Sequence, residues 1–320
     1  MTVPALSVVI PVYNSARSIP ELVAALDGLV IPGGHEIVLV NDGSEDDSLE
    51  VCQALLDTMR VPTILVNLAR NFGEHNAVMA GLRRANGAHV ITMDDDLQNP
   101  PSEVLRLLEH AQRSGKDVVY TYYEAKEHAF WRNLGSRFAN WCAERLLDKP
   151  RGLYLSSFRC LSAFVVEQLL RYSGPYPYVD GLILQCTRSI GRLSVQHLPR
   201  TIGRSNYTPV RLVRLWLDIV VNFSVTPLRL ATLLGFAMSG VGLLGAAWVI
   251  IEALVSRTPR GWASLAVAVL LLSGIQLIVL GLIGEYLGRV YLTATGKPQW
   301  VARDVMCNQA AALRRMREGL

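Results

Sequence analysis

The sequence predicts an α/β domain with a mostly parallel sheet, followed by a pair of membrane-spanning helices. Three observations carry this. Short β-branched apolar runs alternate with helical patterns up to about residue 223, two much longer apolar stretches follow at 230–255 and 263–286, and the composition changes character between the two regions.

The strands come first. SVVIPVY (7–13), EIVLV (36–40), TILVNL (63–68), HVITM (89–93) and DVVYTY (117–122) are short, largely apolar runs rich in Val and Ile, the pattern of strands buried on both faces. Between them, 19–29, 48–56, 74–85 and 101–114 read as helices, with Ser48 and Ser102 placed to act as N-caps. Strands alternating with helices imply a sheet covered on both sides, and ligands in such sheets sit at the carboxyl ends of the strands. The polar clusters fall there: Asn41-Asp42-Gly43-Ser44 after the second run, Arg70-Asn71 after the third and Asp94-Asp95-Asp96 after the fourth.

Two amphipathic segments follow. Residues 130–147 place Leu134, Phe138, Trp141, Cys142 and Leu146 at helical spacing, and 211–223 (RLVRLWLDIVVNF) mixes basic residues with Trp and aliphatics. Each suits either a membrane interface or packing against the sheet. The stretches 230–255 and 263–286 exceed the roughly 20 residues that cross a bilayer. Their only charged residues, Glu252 and Glu285, lie near an end. Residues 256–261 (SRTPRG) form the turn between them. Arg211, Arg214 and Arg229 precede the pair, and Arg289, Lys297, Arg303, Arg314, Arg315 and Arg317 follow it, against Arg257 and Arg260 in the turn. The positive-inside rule puts both ends in the cytoplasm. The expected organisation is a cytoplasmic α/β domain over 1–210, an interfacial helix over 211–229, a hairpin over 230–286 and a cytoplasmic tail over 287–320.

The chain of 320 residues is 51% hydrophobic and 18% charged, with a mean hydropathy of +0.27, high for a wholly soluble protein. A net charge of +4 is too mild for a nucleic-acid surface and suits anionic headgroups or anionic substrates. Five scattered cysteines without a Cys-x-x-Cys pair argue against a disulfide framework or a zinc site. Six histidines form no His-Glu-x-x-His pattern. The first residues run straight into a strand pattern and lack a signal-peptide pattern, so the α/β domain is expected in the cytosol.

Asp94, Asp96 and Gln98 are the central chemical feature. In an extended chain alternate residues share a face, so the three would project together, and their hard oxygens suit Mg²⁺ or Mn²⁺ with a diphosphate and waters completing the shell. Asp95 has the opposite parity and would point away. Asp42 can accept a hydrogen bond from a base N–H or serve as the turn-forming residue of Asp-Gly. Arg70, beside this cluster, suits either phosphate or a structural ion pair.

Pro11-Val12-Tyr13-Asn14, Asn41-Asp42-Gly43-Ser44, Arg70-Asn71-Phe72-Gly73 and Asp94-Asp95-Asp96-Leu97-Gln98-Asn99-Pro100-Pro101 occur in order at suitable spacings. Together they resemble glycosyltransferase family 2, in its polyprenyl-phosphate branch: the dolichol-phosphate mannose synthases, the undecaprenyl-phosphate glucosyltransferases and the undecaprenyl-phosphate aminoarabinose transferases. The resemblance covers nearly the whole chain, because many bacterial members also end in two transmembrane helices. It implies a GT-A fold and a metal-dependent, inverting transfer of a sugar from a nucleotide donor, UDP favoured over GDP, to undecaprenyl phosphate at a bacterial inner membrane.

By the same resemblance Pro11, Tyr13, Asp42, Arg70, Asp94 and Asp95 bind the donor. Asp94, Asp96 and Gln98 hold Mg²⁺ or Mn²⁺, and Asp96 and Arg200 carry catalytic roles. Arg132 and Ser136, one helical turn apart, and Arg200, Arg204 and Ser205 grip the acceptor phosphate, with Gly203 lending the loop its flexibility; the alternative is that these basic residues, near a membrane, merely touch lipid headgroups. The chain also departs from the pattern. Tyr122-Tyr123-Glu124 stands where many relatives carry an Arg, and Ser156-Ser157-Phe158-Arg159 replaces the Gly-Asp-Phe-Arg of several bacterial members, so the sugar does not transfer with the motifs. Residues 174–181 read as a rigid aromatic loop or a pocket wall. The implied partners are a nucleotide sugar, undecaprenyl phosphate and membrane lipid, without nucleic acid; homo-oligomerisation is left open. The competing readings are a processive polysaccharide synthase, which the absence of Gln-x-x-Arg-Trp disfavours, and a non-catalytic membrane subunit that binds a nucleotide sugar or lipid.

Overall fold

The computed structural model describes residues 3–123, 150, 152–174, 176–196, 226–255 and 261–312. The chain divides into two units, Met1–Thr208 with Lys297–Leu320, and Pro209–Gly296.

In the first unit the strands β1 (Leu6–Val12), β2 (His35–Asn41), β3 (Thr63–Leu68), β4 (His89–Thr92) and β5 (Val118–Tyr122) form where the apolar runs predict them, within a residue or two at each end. Every residue of β2 and β3 is buried, which explains why these strands read as continuous rather than alternating. Helices α1 (Ile19–Asp27), α2 (Ser48–Leu56), α3 (Glu74–Leu82) and α4 (Ser102–Ser114) intervene. On α1, Ile19, Leu22, Val23 and Leu26 recur at helical spacing and turn into the core; Val104, Leu107, Leu108 and Ala111 do the same on α4. The chain continues through β6 (Arg159–Ser162), α5 (Ala163–Leu170), α6 (Val179–Cys186) and β7 (Ile190–Ser194).

The two expected N-caps fall one residue inside their helices. Asp47 precedes Ser48 and Pro101 precedes Ser102 at the capping positions. Pro101 cannot cap with a side chain, and the Ser48 hydroxyl is drawn to Asp46 instead.

With β8 (Ala302–Cys307), the sheet has eight strands among the described residues, in the order β7-β5-β6-β4-β1-β2-β3-β8. β1 pairs in parallel with both β2 and β4, so the winding reverses between β1 and β4. That reversal is the switch point at which open α/β sheets bind ligands. β6 enters antiparallel between β4 and β5, bringing Arg159 opposite Thr92.

β8 (Ala302–Cys307) is the finding the sequence did not anticipate. These residues, read as part of a tail over 287–320, pair antiparallel with β3 and cover that edge of the sheet. Asn308 locks the return. Its Oδ1 accepts the Thr63 N–H at 3.0 Å, and its Nδ2 donates to the carbonyls of Met59 (3.2 Å) and Val61 (2.8 Å).

The second unit contains α7 (Thr226–Val255) and α8 (Trp262–Ala294), both longer than the spans expected at 230–255 and 263–286. Among the described residues one stretch, Leu272–Ala294, is long and apolar enough to cross a membrane, and Ala231–Gly245 is a shorter apolar segment. Phe236, Leu244, Trp248, Leu277 and Ile278 are exposed. The segments 130–147 and 211–223 lie outside the described residues.

Candidate active site

The carboxyl ends of β1 and β4 meet through their exit loops. Beyond β1, Tyr13 is exposed, and Asn14 takes a left-handed backbone at φ 54°. The loop is tied to the one after β2: Asn14 N–H donates to Ser44 Oγ (3.1 Å), Glu45 N–H to Asn14 Oδ1 (2.8 Å) and Ser15 N–H to Ser48 Oγ (2.8 Å). Pro11, inside β1 beside Val40, belongs to the sheet that presents Tyr13.

Asp42 follows β2 and is 3% exposed. Its Oδ1 accepts the Phe72 N–H at 2.7 Å and its Oδ2 the Gly73 N–H at 2.9 Å. Burial raises its carboxyl above the ordinary range, against the two backbone hydrogen bonds. The expected base contact therefore has a competitor: Asp42 holds the 70–73 turn, with one further lone-pair direction on each oxygen. Gly43 shows how closely the two loops cross. At φ +63°, a Cβ there would lie 2.4 Å from both the carbonyl carbon of Arg70 and the nitrogen of Asn71, so only glycine fits. Arg70 itself is exposed and lies over the Phe72 ring at 4.5 Å; among the described residues it has no ion-pair partner.

The acidic motif departs from its expected geometry. The chain leaves the extended conformation after Thr92, and Leu97 adopts φ +60°, so alternate residues do not share a strand face. Asp95, assigned by parity to point away, turns toward β1 instead: its Oδ2 accepts the Tyr13 N–H at 3.1 Å. Burial, reinforced by Asp94 and Asp96 and opposed by hydrogen bonds from Ser15 and Tyr13, pushes its carboxyl up to about 6. Asp94 Oδ2 accepts the Ser157 hydroxyl at 2.6 Å, and Asp96 Oδ1 accepts the Gln98 backbone N–H at 3.1 Å.

Asp94, Asp96 and Gln98 offer hard oxygen donors. After burial, the neighbouring Asp94 and Asp96 add to the rise at Asp95, negative charge that a divalent cation would offset. Among the described residues no group of three His, Cys, Asp or Glu side chains could hold a metal. Two carboxylates without a full protein cage fit Mg²⁺ or Mn²⁺, which keep waters and share substrate phosphates.

Beyond these residues lies a buried group drawn from the 156–159 and 174–181 segments, whose pairing the sequence does not show. Arg159 pairs with Asp180, and the Tyr120 hydroxyl donates to Asp180 Oδ1 at 2.8 Å. Arg159 is 2% exposed. The His75 ring meets Tyr178 edge-on at 5.1 Å, and burial pushes His75 down to about 4. Glu74, the first residue of α3, reaches water, yet protein crowds its carboxyl. That desolvation, with Asp94 adding and Arg159 opposing, pushes it up to about 7. The Ser-Ser-Phe-Arg departure and the polar residues in apolar surroundings were the available signals. Arg132, Ser136, Arg200, Gly203, Arg204 and Ser205 lie outside the described residues.

Comparison with known proteins gives the family. A model described as glycosyl transferase family 2 matches residues 7–165, and one described as the GtrB C-terminal hairpin matches residues 226–290. The undecaprenyl-phosphate 4-deoxy-4-formamido-L-arabinose transferase of Pseudomonas savastanoi pv. phaseolicola is 36% identical over 307 residues, 94% of this chain and 90% of that protein. The Pseudomonas aeruginosa protein of the same name is 36% identical over 314 residues, 96% of this chain and 92% of that one. Glucosyl-3-phosphoglycerate synthase from Mycobacterium tuberculosis aligns at 19% identity with a TM-score of 0.49, over 68% of this chain and 78% of that one, a likeness too distant to bear on the chemistry. Matched through its α/β unit and its helical hairpin alike, the chain is a glycosyltransferase and belongs to glycosyl transferase family 2.

Proposed function

We propose that this protein transfers a sugar from a UDP-sugar to undecaprenyl phosphate at the cytoplasmic face of a bacterial inner membrane. The observation that carries the reading is the meeting of Asp94-Asp95-Asp96 with Tyr13 at the switch point, in a chain whose full-length relatives are named for transfer involving undecaprenyl phosphate.

Tyr13, Asp42 and Arg70 surround the donor's nucleoside side, where Asp42 fixes the 70–73 turn. Asp94 and Asp96, with Gln98 beside them, would hold Mg²⁺ or Mn²⁺, which stabilises the charge that develops on the departing diphosphate. The acceptor phosphate is already anionic near neutral pH and needs no strong general base. Its oxygen attacks the anomeric carbon as the bond to the nucleoside diphosphate breaks, inverting the configuration. The chain's own part is to position the two substrates and exclude competing water. By family resemblance Arg132, Ser136, Arg200, Arg204 and Ser205 grip the acceptor phosphate, Arg200 also steadying the reacting groups.

The membrane reading gains support from β8. The chain leaves the first unit before Pro209 and rejoins it from Lys297, where β8 hydrogen-bonds to β3. A single crossing between those points would put β8 on the opposite side of the membrane from its own sheet. An even number of crossings, as in the proposed two-helix hairpin, would keep both ends of the pair on one side, which we take to be the cytoplasm. The exposed Phe236, Leu244, Trp248, Leu277 and Ile278 form an apolar surface that lipid would cover. A polyprenyl acceptor explains why an α/β enzyme carries such a hairpin: the phosphate headgroup stays at the interface.

Asp96→Ala tests the assignment. Turnover is expected to fall by at least about 100-fold, the scale on which one transition-state electrostatic contact acts. Undiminished metal-dependent turnover would remove Asp96 from the site.

A further inference from the structure

The short segment ahead of β6 is held unusually firmly. Thr92 Oγ1 on β4 donates to the Ser157 carbonyl at 2.6 Å. Thr121 Oγ1 on β5 lies 2.6 Å from the Phe158 carbonyl oxygen and 3.1 Å from Ser156 Oγ, which also accepts the Phe158 N–H at 3.2 Å. The Phe158 side chain is fully buried in the core. Two strands thus fix residues 156–158 on both sides, and the Ser157 hydroxyl projects from this anchored backbone to Asp94 Oδ2 at 2.6 Å.

A hydroxyl donating so short a bond to a carboxylate restricts rotation of that carboxylate. Because the donor stands on β6's approach and the acceptor on β4's exit, the bond ties the acidic motif to a neighbouring strand pair rather than leaving it on its own loop.

We propose that Ser157 is a positioning residue for the divalent cation: its hydroxyl holds Asp94 in the orientation that ligates, and so sets the cation's affinity. This rests on the reading of Asp94 and Asp96 as the cation site. Partners of metal-ligating groups change affinity by about 10–100-fold when removed, which sets the scale expected here.

The test is Mn²⁺ binding to the detergent-purified full chain with UDP present, followed by the electron paramagnetic resonance of free Mn²⁺. Ser157→Ala should weaken binding by about tenfold or more, and Ser157→Thr should restore it. Asp96→Ala, measured alongside, should abolish binding. If Ser157→Ala binds Mn²⁺ as the unaltered protein does while Asp96→Ala does not, the role of Ser157 is overturned and the site stands. If neither change affects binding, the cation lies elsewhere and both readings fall. Should Ser157→Ala lose its melting transition, Ser157→Cys carries the test, since it fills the same space with a weaker donor. Weakened binding with an intact melt supports the proposal, and undiminished binding overturns it.

Discussion

Asn308 Oδ1 accepts the backbone N–H of Thr63 at 3.0 Å, joining the last described turn of the chain to the start of a strand laid down far earlier. The same side chain donates to the carbonyls of Met59 and Val61, and Asn308 is 6% exposed. Asn308→Ala removes four hydrogen bonds, from the Thr63 and Ala311 N–H groups and to the Met59 and Val61 carbonyls, each contributing roughly 0.5–1 kcal/mol net. A stability loss of about 2–4 kcal/mol is expected in thermal or urea unfolding of the purified protein. A loss below about 0.5 kcal/mol, the level of an ordinary surface change, would mean that β8 is not locked this way.

The Arg159–Asp180 pair predicts an asymmetry between breaking and replacing. Both side chains are largely buried, and Tyr120 also donates to Asp180. Asp180→Ala leaves a buried guanidinium unpaired and should cost about 3–5 kcal/mol. Arg159→Met combined with Asp180→Leu removes both charges and should recover most of that loss. If the double variant is as unstable as the single one, the pair is not the source of the stability.

Glu74 supplies a pH dependence. Its carboxyl titrates near 7 in the folded chain against an ordinary 4.5, because surrounding protein and then Asp94 disfavour the charged form. The folded state therefore binds this proton more tightly than the unfolded state. Its contribution to stability is complete below about 4.5 and is lost as pH rises through about 7. Glu74→Gln stays neutral throughout. The difference in melting temperature, variant minus unaltered protein, should move in the variant's favour between about pH 5 and pH 8. A difference that does not change with pH contradicts the shift.

The central sheet was legible because buried parallel strands are written in consecutive Val, Ile and Leu, and β1 to β4 need no more than that. β8 was not. ARDVMC on an edge strand carries charges and partly exposed positions, and reads as a polar tail until β3 is seen beside it. β6 and β7 were also missed; their short spans lack the long apolar run of a central strand. At the site, residue types were readable and directions were not. Parity placed Asp95 outward, but the chain leaves the strand before that residue and brings it to Tyr13. Arg159 and Asp180 come together only because β6 runs antiparallel between β4 and β5, a pairing that local pattern does not encode. Helix caps show the same limit: Ser162 does cap α5, accepting the Val165 N–H at 3.4 Å, whereas Ser48 and Ser102 had the right residue type one position too late.

The most direct test of the account is transfer from UDP- and GDP-sugars, UDP-linked 4-deoxy-4-formamido-L-arabinose among them, to undecaprenyl phosphate by the detergent-purified protein, with and without Mg²⁺ or Mn²⁺. A lipid-phosphate sugar is expected from a UDP-linked donor only when a divalent cation is present. Absence of product from every donor with folded protein, or equal product after the cation is removed by chelation, would contradict it.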